Sequence, residues 1–196
     1  MLTIEGFKQA LRNAQTEIEA NKDTLTDLDR AIGDGDHGIN MSRGFEAVVA
    51  VLDEDYASLG ELSKKVGMTL MSKVGGAAGP LYGSAFVKAA PTFGDVTEAD
   101  FTLVKTALEE GSAAIKARGK SVVGQKTMVD VWEPFLDGLN ESDDFTTKLD
   151  HLVNETEGMV ATKGRASYFG ENSRGTIDPG ALSSSIVLKA IMKEVE

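Results

Sequence analysis

The sequence predicts an all-α protein of about eight helices, on two observations. Apolar residues recur at the three- and four-residue spacing of a helix face along almost the whole chain, and no comparable stretch alternates with the period of two that a half-buried strand requires. The first stripe runs through Phe7, Leu11, Ala14 and Ile18. Segments near 39–53 and 79–93 lie on either side of a second stripe, Leu59, Leu62, Val66 and Leu70. Phe101, Val104, Leu108 and Ile115 follow Thr97-Glu98-Ala99-Asp100, which reads as a capping box with Asp in place of Glu and predicts a helix start at Thr97. Met128, Val131, Trp132, Phe135 and Leu139 form the next face. Leu149, Leu152, Val153 and Val160 form another, with a start predicted at Ser142 or Asp143, and a last helix is expected near 181–195.

A chain of 196 residues can bury a proper core and fits a single domain over 1–196, without an internal repeat, low-complexity segment or linker. Hydrophobic residues make up 41% of it, yet no apolar run approaches the ~18 residues that a membrane span needs. Met1-Leu2-Thr3-Ile4-Glu5-Gly6 has neither the basic stretch nor the apolar run of a secretory signal, so a soluble, cytoplasmic protein is expected. Twenty basic against 31 acidic residues give a formal charge of −11, which repels nucleic acid and anionic lipid and excludes both as general partners. The absence of cysteine removes disulfides, thiolate metal sites and thiol nucleophiles, leaving carboxylates, histidine and backbone groups for chemistry, and oxygen-loving cations for any metal site.

Four glycine-rich connections, at 33–38, 75–83, 118–124 and 164–180, carry more glycine than helix caps alone require, as expected where backbone approaches a ligand. The first is the most informative. Asp29, Asp34 and Asp36 follow a D-x4-D-x-D spacing with Gly33 and Gly35 between them, and close carboxylates repel unless a cation or protons intervene. All-oxygen ligation selects magnesium, calcium or manganese, and magnesium characteristically keeps one or two carboxylates plus substrate phosphates, which points to a phosphorylated ligand. His37, one of two histidines, is placed to contact phosphate or to orient a carboxylate; His151, among Leu149, Leu152 and Val153, reads as structural or partly exposed.

Three familiar motifs match this chain only in form. Gly33-Asp34-Gly35-Asp36-His37-Gly38 fits G-x-G-x-x-G, but no strand pattern precedes it and its aspartates repel a bare pyrophosphate. Counted as a calcium loop from Asp34, the sixth position is Ile39 instead of glycine and the twelfth is Phe45 instead of glutamate. Gly119-Lys120-Ser121 ends like a P-loop, but Ala114 stands where its first glycine belongs. The second glycine-rich connection is more telling: it leads into a helix whose first turn contains Pro80, and the unpaired amides before that helix face any bound anion. In the last connection Arg165 is placed to clamp phosphate.

Gly33-Asp34-Gly35-Asp36-His37-Gly38, Gly75-Gly76-Ala77-Ala78-Gly79-Pro80-Leu81-Tyr82-Gly83, Gly124-Gln125-Lys126-Thr127-Met128-Val129-Asp130, Lys163-Gly164-Arg165-Ala166-Ser167-Tyr168 and Asp178-Pro179-Gly180, in that order, resemble the L-subunit family of dihydroxyacetone kinases. The resemblance covers nearly the whole chain. It implies an eight-helix antiparallel up-and-down barrel with the nucleotide site at one end. It implies that Asp29, Asp34 and Asp36 bind two Mg2+ ions bridging the phosphates of ADP or ATP, and that His37, Gly38, Ile39, Asn40, Ala77, Ala78 and Gly79 line those phosphates. Gly119, Met128, Asp178, Pro179 and Gly180 then enclose the rest of the nucleotide, and Arg165 approaches the phosphoryl group as the catalytic residue. A chain ending at Glu196, without a dihydroxyacetone-binding domain, implies a separate subunit: it keeps ADP as a cofactor, is recharged by a phosphohistidine M subunit, and passes the phosphoryl group to dihydroxyacetone on a K subunit. Two positions depart from the family pattern, Ala78 where it has serine and Asn172 where it has arginine. The rival expectation is a non-enzymatic ADP-binding relative that docks a transcription regulator.

Overall fold

The computed structural model describes residues 1–195. Among them are nine α-helices: α1 (Ile4–Ala20), α2 (Lys22–Ile32), α3 (His37–Val51), α4 (Leu59–Lys73), α5 (Ala78–Phe93), α6 (Phe101–Gly119), α7 (Val129–Leu136), α8 (Phe145–Glu155) and α9 (Pro179–Lys193). Eight of them close a ring in which α1 packs on α3, α3 to α9 pack on one another in order, and α9 returns to α1. This is the expected antiparallel barrel. The extra helix is α2, which packs against α3 and α9. Sequence periodicity passes over it because it buries only Leu25, Thr26 and Ile32, too few for a stripe. Asn21 separates it from α1: both its backbone N–H and its side-chain amide donate to the Glu17 carbonyl, at 3.0 and 2.8 Å, which ends the first helix.

Two predicted helix starts move by a few residues, each because another interaction claims the segment. Glu98–Ala99 (β2) pair antiparallel with Leu2–Thr3 (β1), so α6 starts after Asp100, whose carboxylate accepts the Leu103 N–H at 2.8 Å, and not at Thr97. Asp143 accepts the Asn140 N–H within the preceding turn, leaving Asp144 to cap α8 through the Thr147 N–H at 3.0 Å. The stripe through Leu149 also stops before Val160, since Thr156–Gly158 tighten into a 3-10 turn.

The ring is filled by Phe7, Phe45, Tyr82, Trp132 and Phe135, all essentially buried. Glycine sets how closely neighbouring helices approach. A Cβ on Gly67 of α4 would lie 2.7 Å from the Gly83 carbonyl oxygen of α5, a separation real Cβ atoms do not adopt. Because neighbours in the ring run in opposite directions, α3, α5, α7 and α9 all begin at the same end. Four helix N-termini, each a positive dipole end, therefore surround one opening. Gly38 fixes α2 there. A side chain at Gly38 would collide with the Lys22 carbonyl and the Thr26 hydroxyl, so α3 lies flush against the helix that carries Asp29.

Gly38→Ala is expected to lower stability by about 2 kcal/mol through overpacking at this crossing and to loosen divalent-cation binding by prising Asp29 from Asp36. Thermal denaturation and Mn2+ titration of the variant check both effects.

Candidate nucleotide and metal site

Asp29 lies in the last turns of α2, Asp34 in the connection, and Asp36 at the cap of α3. The Asp36 side chain makes no cap hydrogen bond. Instead Asp29 reaches across the connection and its Oδ2 accepts the N–H groups of Asp36 and His37, at 2.8 and 3.0 Å. Gly33 is required for this reach, since a Cβ there would strike the Asp29 carboxylate, and Gly35 turns the chain with φ +73°. The result is three carboxylates with one oxygen from each within 4.8 Å of the others. An all-oxygen set of this size in a chain without cysteine fits a hard divalent cation. Arg165 Nη1 lies 3.2 Å from Asp34 Oδ2, with both groups at the surface, so the pair contributes little to stability.

The carboxylates form one wall of a cavity of about 420 Å³ at the end of the barrel where four helices begin. Asp36 and His37 of α3, Ala77 and Ala78 of α5, Met128 before α7, and Asp178, Pro179 and Gly180 of α9 all line it. Asn40 and Arg165 line it as well. Helix α5 has no side-chain cap, so the Ala78 and Gly79 amides stay available to an anion. Asn40 Oδ1 accepts from Arg43 Nη2 at 2.8 Å, which turns the amide NH2 of Asn40 towards Gly76 on the cavity wall.

Four predicted residues are not in the lining. Gly38 serves the α2–α3 crossing, and Ile39 is 49% exposed on the outer face of α3. Gly79 lies behind the wall, where a side chain would collide with the Val74 carbonyl, and Gly119 closes α6 one layer back, against the cavity residue Leu81. Conversely, the cavity includes Gly75, Gly76, Leu81, Tyr82, Lys126, Thr127 and Lys163, none of which was singled out as a site residue from sequence. Lys126 lies in the Gly124-Gln125-Lys126-Thr127-Met128-Val129-Asp130 motif but resembles any surface lysine in composition. It is 1% exposed, with a left-handed φ of +61°.

The Lys126 ammonium donates to the carbonyls of Met159, Ser173 and Thr176, at 3.2, 2.7 and 2.5 Å. All three of its protons are used, so Lys126 acts as a tether for the segment that bears Lys163 and Arg165. Burial lowers its pKa, against the opposing pull of Asp178 and Glu157. Asp130 holds the turn ahead of α7 by accepting the Gly124 and Thr127 N–H groups. Asp178 caps α9 through the Ala181 N–H at 2.8 Å, and burial pushes its carboxyl up to about 7 despite that hydrogen bond. For His37, burial outweighs the nearby Asp29 and Asp36 carboxylates and lowers the imidazole below its ordinary range. Its Nε2 lies 2.9 Å from Ser183 Oγ.

A family model described as the DAK2 domain matches residues 31–193. The chain belongs to the DAK2-domain family. The motif resemblance is thereby borne out, and full-length relatives support it further. The protein named PTS-dependent dihydroxyacetone kinase, ADP-binding subunit DhaL, of Lactococcus lactis is 44% identical over 196 residues, covering 100% of both chains. A Listeria innocua protein named as the ADP-binding subunit of a PEP-dependent dihydroxyacetone kinase is 46% identical, over 90% of this chain and 89% of its own. The DAK2 fold also appears in the crystal structure of the C. freundii dihydroxyacetone kinase, with a TM-score of 0.74 at 24% identity over 95% of this chain. The chain spans only 34% of that kinase, so this likeness bears on the barrel alone.

Asp178 gives the DAK2 site a defined pH dependence of stability. A folded pKa near 7 against an ordinary 3.8 means that the folded protein keeps a proton that the unfolded chain has released between those values. Its stabilising contribution is complete below about pH 4 and is lost as pH rises through 7. Asp178→Asn, which still accepts the Ala181 N–H, is expected to flatten the fall in Tm between about pH 4 and 7, as read by paired thermal melts.

Proposed function

We propose that this DAK2 protein is the ADP-binding subunit of a phosphotransferase-system-dependent dihydroxyacetone kinase. The observation that carries the proposal is the meeting of three carboxylates with four helix N-termini at a single cavity. A nucleoside diphosphate is the ligand that uses both, since its phosphates accept from helix amides and share a cation with the aspartates. Relatives of this length and identity named as ADP-binding subunits support the same reading.

In this reading Asp29, Asp34 and Asp36 hold two Mg2+ ions, which supply charge neutralisation at the phosphate oxygens when bound. The amides of Ala78 and Gly79 and the Asn40 side chain position the phosphates. Met128, Pro179 and Gly180 provide the flat, weakly polar wall for the rest of the nucleotide, with Gly119 supporting it from behind. Gly38 and Ile39 act through the α3 backbone. Arg165, tethered through the Lys126 segment, stands beside Asp34 where charge builds on the phosphoryl group in transit, and positioning plus charge is most of what phosphoryl transfer asks of a protein. The phosphoryl group arrives from a phosphohistidine on the M subunit, charges ADP, and leaves for a hydroxyl of dihydroxyacetone on the K subunit. Both partners then dock in turn at the open end of the barrel.

Asp34→Asn is expected to weaken ADP binding in magnesium buffer at least tenfold, as one hard ligand and one negative charge are lost; unchanged affinity by calorimetry contradicts the reading. A second test uses the departure at Ala78. Its side chain lines the phosphate end of the cavity without a hydroxyl, and Arg174 does not compensate, because it donates to Glu171 and to the Gly158 carbonyl. A hydrogen bond to a charged group contributes about 1.5–3 kcal/mol, so Ala78→Ser is expected to speed transfer to the substrate-loaded K subunit roughly ten- to hundredfold, with little change in ADP affinity. Single-turnover assays with purified partner subunits read this directly, and equal rates for the two proteins rule out a role for that hydroxyl.

A further inference from the structure

Arg43 is exposed on α3 and takes no part in the cavity lining, yet its guanidinium is held by two contacts that both lead towards the cavity. Nε donates to the Lys73 carbonyl in the last turn of α4 at 3.0 Å, and Nη2 donates to Asn40 Oδ1 at 2.8 Å. The first bond spans two helices and removes the freedom that an exposed arginine otherwise keeps. The second spends the guanidinium, so fixed, on a residue of the cavity wall. Side-chain pairs three residues apart are common on helices, but this one has an unusual cover. A Cβ on Gly75 would lie 2.6 Å from Asn40 Oδ1 and 2.8 Å from Arg43 Nη2, closer than real Cβ atoms come, so the bond is packed under the bare backbone of the glycine-rich turn before α5.

The chemistry of the pair fixes which way the Asn40 carboxamide points. A guanidinium has donors and no acceptor, so the Asn40 atom that it meets is the carbonyl oxygen, and the NH2 group is left on the other side, by Gly76. Asn40 is only 7% exposed, and among the described residues nothing accepts from that NH2. No sealed side-chain nitrogen or oxygen of the described residues lacks a partner, so this donor is open to the cavity that Asn40 lines. A carboxamide free to turn would present either end there, and its oxygen would repel an anion. Arg43 removes that choice. Its positive charge also draws on the carbonyl oxygen, which makes the NH2 group a stronger donor.

We propose that Arg43 is a positioning residue for a cavity it does not enter: it locks the Asn40 carboxamide with its NH2 group inward, as a donor to a bound phosphate oxygen. The phosphate rests on the nucleotide reading above, whereas the lock belongs to the protein alone.

The parent chain, Arg43→Ala, Asn40→Ala and the double variant, each checked for folding by its melting curve, provide the test by calorimetry with ADP in magnesium buffer. Each single substitution is expected to weaken ADP binding about tenfold, and adding Arg43→Ala to Asn40→Ala is expected to weaken it by less than about twofold more. A lost surface charge or a loosened fold would act as strongly in one background as in the other. An Arg43→Ala effect of equal size in both therefore overturns the proposal, as does an Arg43→Ala protein that binds ADP like the parent. Nitrogen-15 relaxation of the Asn40 side-chain amide, in protein free of nucleotide, reads the lock directly. That amide is expected to be rigid in the parent and mobile in Arg43→Ala, and mobility in the parent or rigidity in both contradicts the lock. A parent whose rigid carboxamide is freed by Arg43→Ala, but which binds no ADP, sinks the nucleotide reading instead.

Discussion

The site depends on the carboxylate of Asp29 accepting the first amides of α3 across a seven-residue gap in sequence. This one interaction joins a helix outside the barrel to a helix within it, and it sets two more carboxylates beside the first. A cap from within α3 would have used Asp36 and tied up its side chain. Because Asp29 takes that role with one oxygen, its other oxygen and both other aspartates remain available to a cation. Gly33 and Gly38 are the steric conditions for the arrangement, one making room for the Asp29 carboxylate and the other letting α2 and α3 touch.

Barrel topology supplies the rest of the field. In an up-and-down ring, alternate helices begin at the same end, and here α3, α5, α7 and α9 begin around the cavity. Their dipoles favour negative charge while the carboxylates favour positive charge, a combination that suits a phosphate chain with a cation and suits neither alone. The buried charges close by have structural tasks. Lys126 spends its protons on three carbonyls of the segment carrying Arg165, and Asp130 and Asp178 shape the starts of α7 and α9. For Asp178 burial outweighs its contacts, which is why its carboxyl sits so high.

Much of this was legible in the residues themselves. Helical spacing announced each member of the ring, and the three aspartates with their glycines announced an oxygen-lined cation site. What escaped the sequence has physical reasons. Helix α2 buries too little to make a stripe, since it leans on the barrel without filling it. The starts of α6 and α8 shifted because a strand pairing and a turn took the residues that local pattern favoured. Lys126 could not be told from an ordinary surface lysine, since its role comes from partners 33 to 50 positions away along the chain. Gly38, Gly79 and Gly119 sit close to the site in sequence or in the fold, yet they support its walls without lining the cavity, and Ile39 is exposed to solvent.

In the proposed function the aspartates and the helix N-termini act on one ligand. Crystals grown with ADP and Mn2+, measured for the anomalous scattering of manganese, test it most directly. Anomalous peaks bounded by Asp29, Asp34 and Asp36 are expected, with the diphosphate reaching from them to the start of α5. Manganese bound elsewhere, or a nucleotide seated away from that end of the barrel, would contradict it.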